Sequence, residues 1–230
     1  MSEIEMRYQS VYKEFQDACS KAGRRPGEVK LIAVSKNFPA EEIQKIYQLG
    51  QLDFGENKAQ EMSAKFSLLP NDIKWHFIGR LQRNKVKYII DKACMIHSVD
   101  SVPLAEEISR QALLKEVVMP VLIQVNLDQE ETKAGFEEAQ IRKALEDISR
   151  LPGLRIQGLM TIGAFHEEAE DSRPLFRRMK ELFDQIDQWQ IPGVTMQSLS
   201  MGMSHDFKVA IEEGATFVRV GSSIFGQRIY

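Results

Sequence analysis

Lys36 follows the apolar run Leu31-Ile32-Ala33-Val34 and Ser35, and it precedes Asn37-Phe38-Pro39. An ammonium at the rim of a buried strand is costly to desolvate, and desolvation lowers a lysine's pKa. In that state the side chain is an amine nucleophile able to form a Schiff base with a carbonyl. The same lysine can also carry its charge to solvent along its aliphatic stem. On this stretch alone both readings stand.

Two late loops have the makings of a phosphate site. Ser200-Met201-Gly202-Met203-Ser204 leads into a helical segment, and Gly221-Ser222-Ser223 opens another. Small residues allow close approach, and hydroxyls and helix-start N–H groups suit a phosphate dianion. Either loop could equally be an ordinary serine-capped turn. Between them, Arg219 sits among apolar neighbours in Phe217-Val218-Arg219-Val220. A guanidinium stays charged, so its burial requires a partner: a carboxylate from a neighbouring strand or an acceptor on a bound ligand.

Other candidates are weaker. The 4 histidines, His76, His97, His166 and His205, have no HxxxH or HxH spacing, which gives metal binding little support. His76 either packs and hydrogen-bonds inside the fold or stacks on a ligand. Glu56 and Asn57 end a short strand and could simply cap the helix that follows. No Ser-His-Asp or Cys-His arrangement can be argued from spacing.

The elements that must position these residues repeat as strand then helix. Strands are expected at 29–35, 51–54, 74–78, 95–99, 121–127, 154–160, 195–200 and 216–220. Helices are expected at 39–49, 58–68, 83–90, 101–116, 136–150, 172–189 and 207–213, with a short turn from 222. Pro39 suits the first turn of a helix, where its missing N–H has no intrahelical partner. Residues 2–22 form an additional amphipathic helix, with Ile4, Tyr8, Val11, Phe15 and Ala18 on one stripe.

This alternation predicts an α/β fold, a (β/α)8 TIM-type barrel with an extra N-terminal helix, in one domain over residues 1–230. An open doubly wound sheet is the alternative, but no GxGxxG follows the first strand. In the barrel, Lys36, Asn57, Ser200 and Gly221 all fall at C-terminal strand ends, where such barrels carry their sites. The polar loop 128–135 is expected to be mobile and to lie on that rim.

Composition narrows the class. With 230 residues, 43% hydrophobic and 27% charged, the chain is ordinary for a globular protein. A net charge of −3 with dispersed basic residues argues against nucleic acid as a partner. The most basic stretch, Arg80 to Lys87, reads as a solvated helix face or a phosphate-facing edge. The 2 cysteines, Cys19 and Cys94, suggest neither disulfide framework nor zinc site. No apolar run approaches the roughly 18 residues of a membrane span, and the polar N-terminus lacks a signal-peptide core. A cytoplasmic protein is expected.

A candidate Schiff-base lysine, paired phosphate loops and a buried arginine would together suit pyridoxal phosphate. The chain resembles the pyridoxal phosphate homeostasis protein family, related in fold to the N-terminal barrel of alanine racemases. The resemblance rests on Ala33-Val34-Ser35-Lys36, Phe54-Gly55-Glu56-Asn57, and Trp75-His76-Phe77-Ile78-Gly79 with Gln82-Arg83-Asn84-Lys85. It continues in Ser200-Met201-Gly202-Met203-Ser204 and in Arg219-Val220-Gly221-Ser222-Ser223-Ile224-Phe225-Gly226, and covers nearly the whole chain.

The resemblance implies that Lys36 holds pyridoxal 5′-phosphate as a Schiff base. It implies that Ser200, Gly221 and Ser222 contact the phosphate and that Met201 and Gly202 belong to the same cofactor-binding loop. Arg219 would face the pyridine nitrogen, and Asn57 and His76 would line the ring pocket. No catalytic residue is assigned. An arginine partner favours an unprotonated ring nitrogen, which weakens the cofactor as an electron sink.

Alanine racemases carry a second domain and take a tyrosine base from a second chain, whereas this chain ends at Tyr230, just past the barrel. The resemblance therefore implies a monomeric carrier in vitamin B6 and amino-acid homeostasis rather than an enzyme, with pyridoxal-phosphate-requiring apoenzymes as candidate recipients. The alternatives are a low-activity racemase and a cofactor-free Schiff-base aldolase using Lys36.

Overall fold

In a computed structural model, which describes residues 1–128 and 134–226, the strands close into a barrel in the order β1 to β8, every neighbouring pair parallel. The elements run in order as α1 (Glu3–Lys21), β1 (Lys30–Val34), α2 (Ala40–Gln48), β2 (Asp53–Glu56), α3 (Ala59–Phe66) and β3 (Lys74–Phe77). After a 3₁₀ segment at Arg83–Tyr88 come β4 (Ala93–Val99), α4 (Val102–Leu114), β5 (Met119–Gln124), α5 (Ile141–Ile148) and β6 (Leu154–Met160). The chain continues with α6 (Arg173–Gln188), β7 (Val194–Met203), α7 (Phe207–Glu212), β8 (Phe217–Val220) and α8 (Ser222–Phe225). The (β/α)8 barrel read from the strand–helix alternation is the fold observed.

Side chains alternate along each strand between the barrel interior and the layer beneath the helices. Ile32, Val34, Ile78, Met95, Leu122, Met160 and Phe217 form an interior apolar cluster. Ala33, Phe54, Trp75, Phe77, Leu199 and Val218 point outward and pack under the helices. The interior is not wholly apolar: His76, His97, Ser200 and Arg219 are buried among these side chains.

Several boundaries differ from expectation for identifiable reasons. The helix expected at 83–90 is a 3₁₀ segment, and its three-residue period brings the buried Val86 and Ile89 to one side. Pro39 stands at the N-cap of α2 rather than inside it. The helix expected from 136 begins as a 3₁₀ turn at Glu138–Gln140 and becomes α-helical only at Ile141. β7 runs on to Met203, three residues past its expected end.

Helix α1 buries the expected stripe of Ile4, Tyr8, Val11, Phe15 and Ala18. It packs against α2, α7 and α8. Since α8 is a single turn of 4 residues, α1 covers the barrel wall that a full-length eighth helix would otherwise cover. Arg7 ties the two together, its Nε donating to the Ile224 carbonyl at 2.9 Å and a terminal nitrogen to that of Phe225 at 3.2 Å. No helix among the described residues is long and apolar enough to cross a membrane.

Candidate cofactor site

A cavity of about 350 Å³ opens at the C-terminal mouth of the barrel. Lys36, Asn57, Arg219, Gly221 and Ser222 all line it. Alternation explains Lys36: Ile32 and Val34 face the interior, and the next inward position along the chain is Lys36. The same logic on β8 puts Phe217 and Arg219 inside and Val218 outside.

The backbone on both sides of Lys36 is gripped from outside the barrel. Lys65 of α3 donates to the Ser35 carbonyl at 2.9 Å, to Glu56 Oε1 at 2.7 Å and to Glu61 Oε1 at 2.7 Å. The Ser35 hydroxyl donates to Glu56 Oε1 at 2.6 Å. Glu61 Oε1 also accepts the N–H of Asn37 at 2.6 Å. Asn37 itself lies in the left-handed region, with φ of 65°, which re-aims the chain directly after Lys36. Burial holds the Glu56 carboxyl above its ordinary range, although Lys65 and Ser35 pull the other way.

Asn57 reaches the cavity because Gly79 lets it. A Cβ on Gly79 would stand 2.4 Å from the Asn57 carbonyl oxygen and 2.6 Å from its Cα. The Asn57 side-chain oxygen is buried at the cavity wall with no hydrogen-bond donor among the described residues. It is a ready acceptor for a ligand group.

Arg219 is buried to 5% exposure. Its two terminal nitrogens donate to Ser200 Oγ at 2.7 Å and to the Thr161 carbonyl at 2.8 Å. Among the described residues no carboxylate lies within ion-pair distance of it, and the opposing charge that acts on it is the more distant Asp206. Burial lowers its pKa to about 10, so the guanidinium remains charged at neutral pH. Of the two partners read for it from sequence, the carboxylate of a neighbouring strand is not what is found. The cation keeps N–H donors to spare beside an open cavity.

The rim is built by the loop after β7. Asp206 accepts the Met203 N–H at 2.6 Å on one oxygen and the Ser172 hydroxyl at 3.0 Å on the other. The Ser204 hydroxyl in turn accepts the Gly221 N–H at 3.1 Å, joining the two late loops. On the opposite rim Asp128 accepts the Ala164 N–H at 3.1 Å. Residues 129–133 of the expected rim loop lie outside the described residues.

Four expected positions are not at the cavity. Ser200 is fully buried in the interior, bonded to Arg219 and His97. Met201 packs in the outer core under the helices. Gly202 has φ of 86°, and a Cβ there would meet Ala210 at 2.4 Å, so it serves the contact with α7. Together with a register shift between Ser200 and Met203, this conformation moves the loop on, so that Met203, Ser204 and His205 line the cavity instead. His76 lies deeper in the barrel, with Nε2 2.9 Å from Asp53 and Nδ1 2.9 Å from His97. The closed sheet turns its ring toward the N-terminal end and not into the mouth.

Lys65, Glu61, Asp206 and Phe165 are not among the candidates read from the sequence, where Phe38 stands only as a neighbour of Lys36 and His166 only as a histidine without metal spacing; of these, Phe38, Phe165, His166 and Asp206 line the cavity. The i,i+4 spacing of Glu61 and Lys65 was an available signal for an ion pair on α3. The motif Gln82-Arg83-Asn84 lies elsewhere, on an open groove of about 1050 Å³ that also carries Arg80, Asp100 and Glu107. That groove shares no lining residue with the mouth cavity.

Residues 10–229 match the alanine racemase N-terminal domain family. The chain is 46% identical to a pyridoxal phosphate homeostasis protein of Aquifex aeolicus over 225 residues, which cover 97% of this chain and 98% of that one. It is 34% identical to the protein of that name from Escherichia coli over 234 residues, covering 100% and 99%. Among solved structures, PipY of Synechococcus elongatus with pyridoxal phosphate bound superposes with a TM-score of 0.84 at 37% identity, covering 97% of this chain and 100% of that one. An alanine racemase of Corynebacterium glutamicum, at 16% identity, TM-score 0.69 and coverage of 99% of this chain and 61% of that one, shares the fold. Match length, identity and barrel geometry agree: the chain belongs to the pyridoxal phosphate homeostasis protein family, built on the alanine racemase N-terminal barrel.

Proposed function

We propose that this protein binds pyridoxal 5′-phosphate in the mouth cavity and serves inside the cell to hold and balance that cofactor. The carrying observation is Arg219, a buried guanidinium with no carboxylate at ion-pair distance among the described residues, on the same cavity as Lys36. Lys36 offers its amine to the cofactor's aldehyde. Arg219 keeps its proton and donates toward the ring nitrogen. The Asn57 side-chain oxygen, with no donor among the described residues, takes a hydrogen bond from a donor-bearing substituent of the ring. Ser204, Ser222 and the first-turn N–H groups of α8 supply donors for the phosphate.

When bound, the cofactor supplies an aldehyde that captures amines and a ring that withdraws electrons from what it captures. Arg219 limits the second property, because a guanidinium does not pass its proton to the ring nitrogen. Among the described residues no tyrosine lines the cavity. Both points support carriage over efficient catalysis. A second reading, weak racemisation of small amino acids, is favoured by one observation: His166 and His205 line the cavity and can move protons.

The test is an absorption spectrum of purified protein with added pyridoxal phosphate, before and after borohydride, with peptide mapping. A visible band trapped on Lys36 is expected, and Lys36→Ala abolishes it. Protein that takes up no pyridoxal phosphate would refute the reading. Steady amino-acid turnover that Lys36→Ala removes would replace carriage with the racemase reading.

A further inference from the structure

A line of polar side chains runs through the barrel from one end to the other. Its floor is Asp53, which lines a cavity at the N-terminal end with Lys30 and Gln51. Asp53 Oδ1 is 2.9 Å from His76 Nε2, His76 Nδ1 is 2.9 Å from His97 Nε2, and His97 Nδ1 is 3.0 Å from Ser200 Oγ. Arg219 closes the line at the mouth by donating to Ser200 Oγ at 2.7 Å. Each member comes from a different strand, β2, β3, β4, β7 and β8.

The two ends dictate the direction of every bond between them. An ionised carboxylate only accepts, and a guanidinium only donates. His76 therefore donates from Nε2 to Asp53 and accepts at Nδ1. His97 donates from Nε2 to His76 and accepts at Nδ1. The Ser200 hydroxyl donates to His97 and accepts from Arg219. All ring nitrogens are satisfied with both histidines neutral in the Nε2–H form.

The surroundings favour this state. Burial holds both histidines below their ordinary range, and His97 faces His76 and Arg219, which lower it further. Burial pushes Asp53 up, but the His76 hydrogen bond and the charges of Lys30 and Lys74 outweigh it and keep the carboxyl below its ordinary range. The Cys94 thiol, 3.5 Å from His76 Nε2, is pushed up to about 12 by burial and by Asp53, and stays protonated. Asp206 is the charge that faces Arg219.

We propose that Asp53, His76 and His97 are positioning residues for Arg219: the one-way chain ending on Asp53 keeps Ser200 turned as an acceptor, which holds the guanidinium in the orientation that meets the cofactor's ring nitrogen. The proposal rests on the reading that Arg219 faces pyridoxal phosphate. Thr161 fixes the second terminal nitrogen, so the two anchors together set the guanidinium plane.

Two readouts test it: nitrogen-15 shifts of the histidine rings in cofactor-free protein, and the affinity for pyridoxal phosphate. Wild type is expected to show His76 and His97 neutral and protonated on Nε2 through the neutral pH range. Asp53→Ala leaves the His76 donor without an acceptor. It is expected to move a measurable fraction of His97 to the Nδ1–H form and to weaken pyridoxal phosphate binding about tenfold. Asp53→Asn retains an acceptor oxygen and is expected to restore the wild-type tautomers and an affinity within about twofold.

Wild-type His97 protonated on Nδ1, or Asp53→Ala matching wild type in both readouts, would overturn the proposal. So would Asp53→Asn behaving like Asp53→Ala. Wild-type protein that takes up no pyridoxal phosphate overturns the functional reading and removes the ligand of this one, a failure distinct from a reversed tautomer pattern.

Discussion

Lys65 donates to the carbonyl oxygen of Ser35 at 2.9 Å, one residue ahead of the amine that faces the cavity. The same ammonium holds Glu61, whose carboxylate takes the N–H of Asn37 one residue beyond it. The backbone that carries Lys36 is thus clamped from both sides. The clamp costs desolvation of Lys65 and Glu56, and it is maintained by bonds that leave Lys65 fully used: three acceptors for three N–H groups.

Removing one partner should cost more than removing both. Lys65→Met leaves the Glu56 carboxylate buried and uncompensated, and is expected to destabilise the fold by about 3–5 kcal/mol. Adding Glu56→Gln removes the stranded charge and is expected to recover part of that loss. Denaturant melts of the two single variants and the double variant check the sign of the coupling. If the clamp positions Lys36, the folded double variant also traps less cofactor under borohydride than wild type.

Gly79→Ala tests the approach of Asn57. The added Cβ meets backbone atoms of Asn57 at 2.4 and 2.6 Å, and backbone cannot rotate away as a side-chain tip can. The strand end must shift, at a cost of about 1–3 kcal/mol. Because Asn57 lines the cavity, pyridoxal phosphate affinity should fall together with the melting temperature. A variant with wild-type affinity would show that Asn57 does not need its present position.

Local pattern carried much of the fold and part of the site. Ile32, Val34 and Lys36 alternate on one strand, and Phe217 and Arg219 on another, so strand ends and inward faces were readable without knowing any partner. The internal chain was not readable. Asp53, His76, His97 and Ser200 are far apart in sequence, and only barrel closure with its register brings their inward positions to hydrogen-bond distance. The strand that carries His76 is legible in the sequence, whereas the register that sets its partners is not. Ser200-Met201-Gly202 departs from the cavity lining for a local reason: the positive φ of Gly202 breaks the alternation that keeps the loop's inward face in step.

Arg7 offers a test of how α1 supports the site from outside the barrel. Its guanidinium holds the Ile224 and Phe225 carbonyls at the end of α8, the turn that opens with Ser222. Arg7→Ala is expected to cost about 1–2 kcal/mol of stability through the lost bonds to those carbonyls. It is also expected to weaken binding of pyridoxal phosphate more than binding of pyridoxal, because only the former uses the α8 end of the cavity. Equal losses for both ligands would mean that α1 acts on the barrel as a whole.

The neutral interior histidines set an acid limit on stability. Both His76 and His97 have pKa values held below the ordinary 6.5 by burial, so the unfolded chain binds more protons than the native one once pH falls through that value. Stability therefore rises with pH in the window below 6.5 and is lost as pH falls, at up to about 1.4 kcal/mol per pH unit for each histidine. Asp53 adds to this lower down, because its depressed pKa stabilises the native state above the ordinary carboxylate range and that contribution is lost as the carboxyl protonates. Glu56 works in the opposite direction: its raised pKa makes the native state lose stability as pH climbs from the ordinary carboxylate range to the raised value. Urea midpoints measured across the acid range should show a net decline beginning near pH 6.5. His97→Gln keeps a donor and an acceptor in the chain but cannot take a proton, and should remove about half of the slope just below that pH. A wild-type profile that stays flat through this window would mean that the histidines titrate alike folded and unfolded, and the buried neutral pair would have to be abandoned.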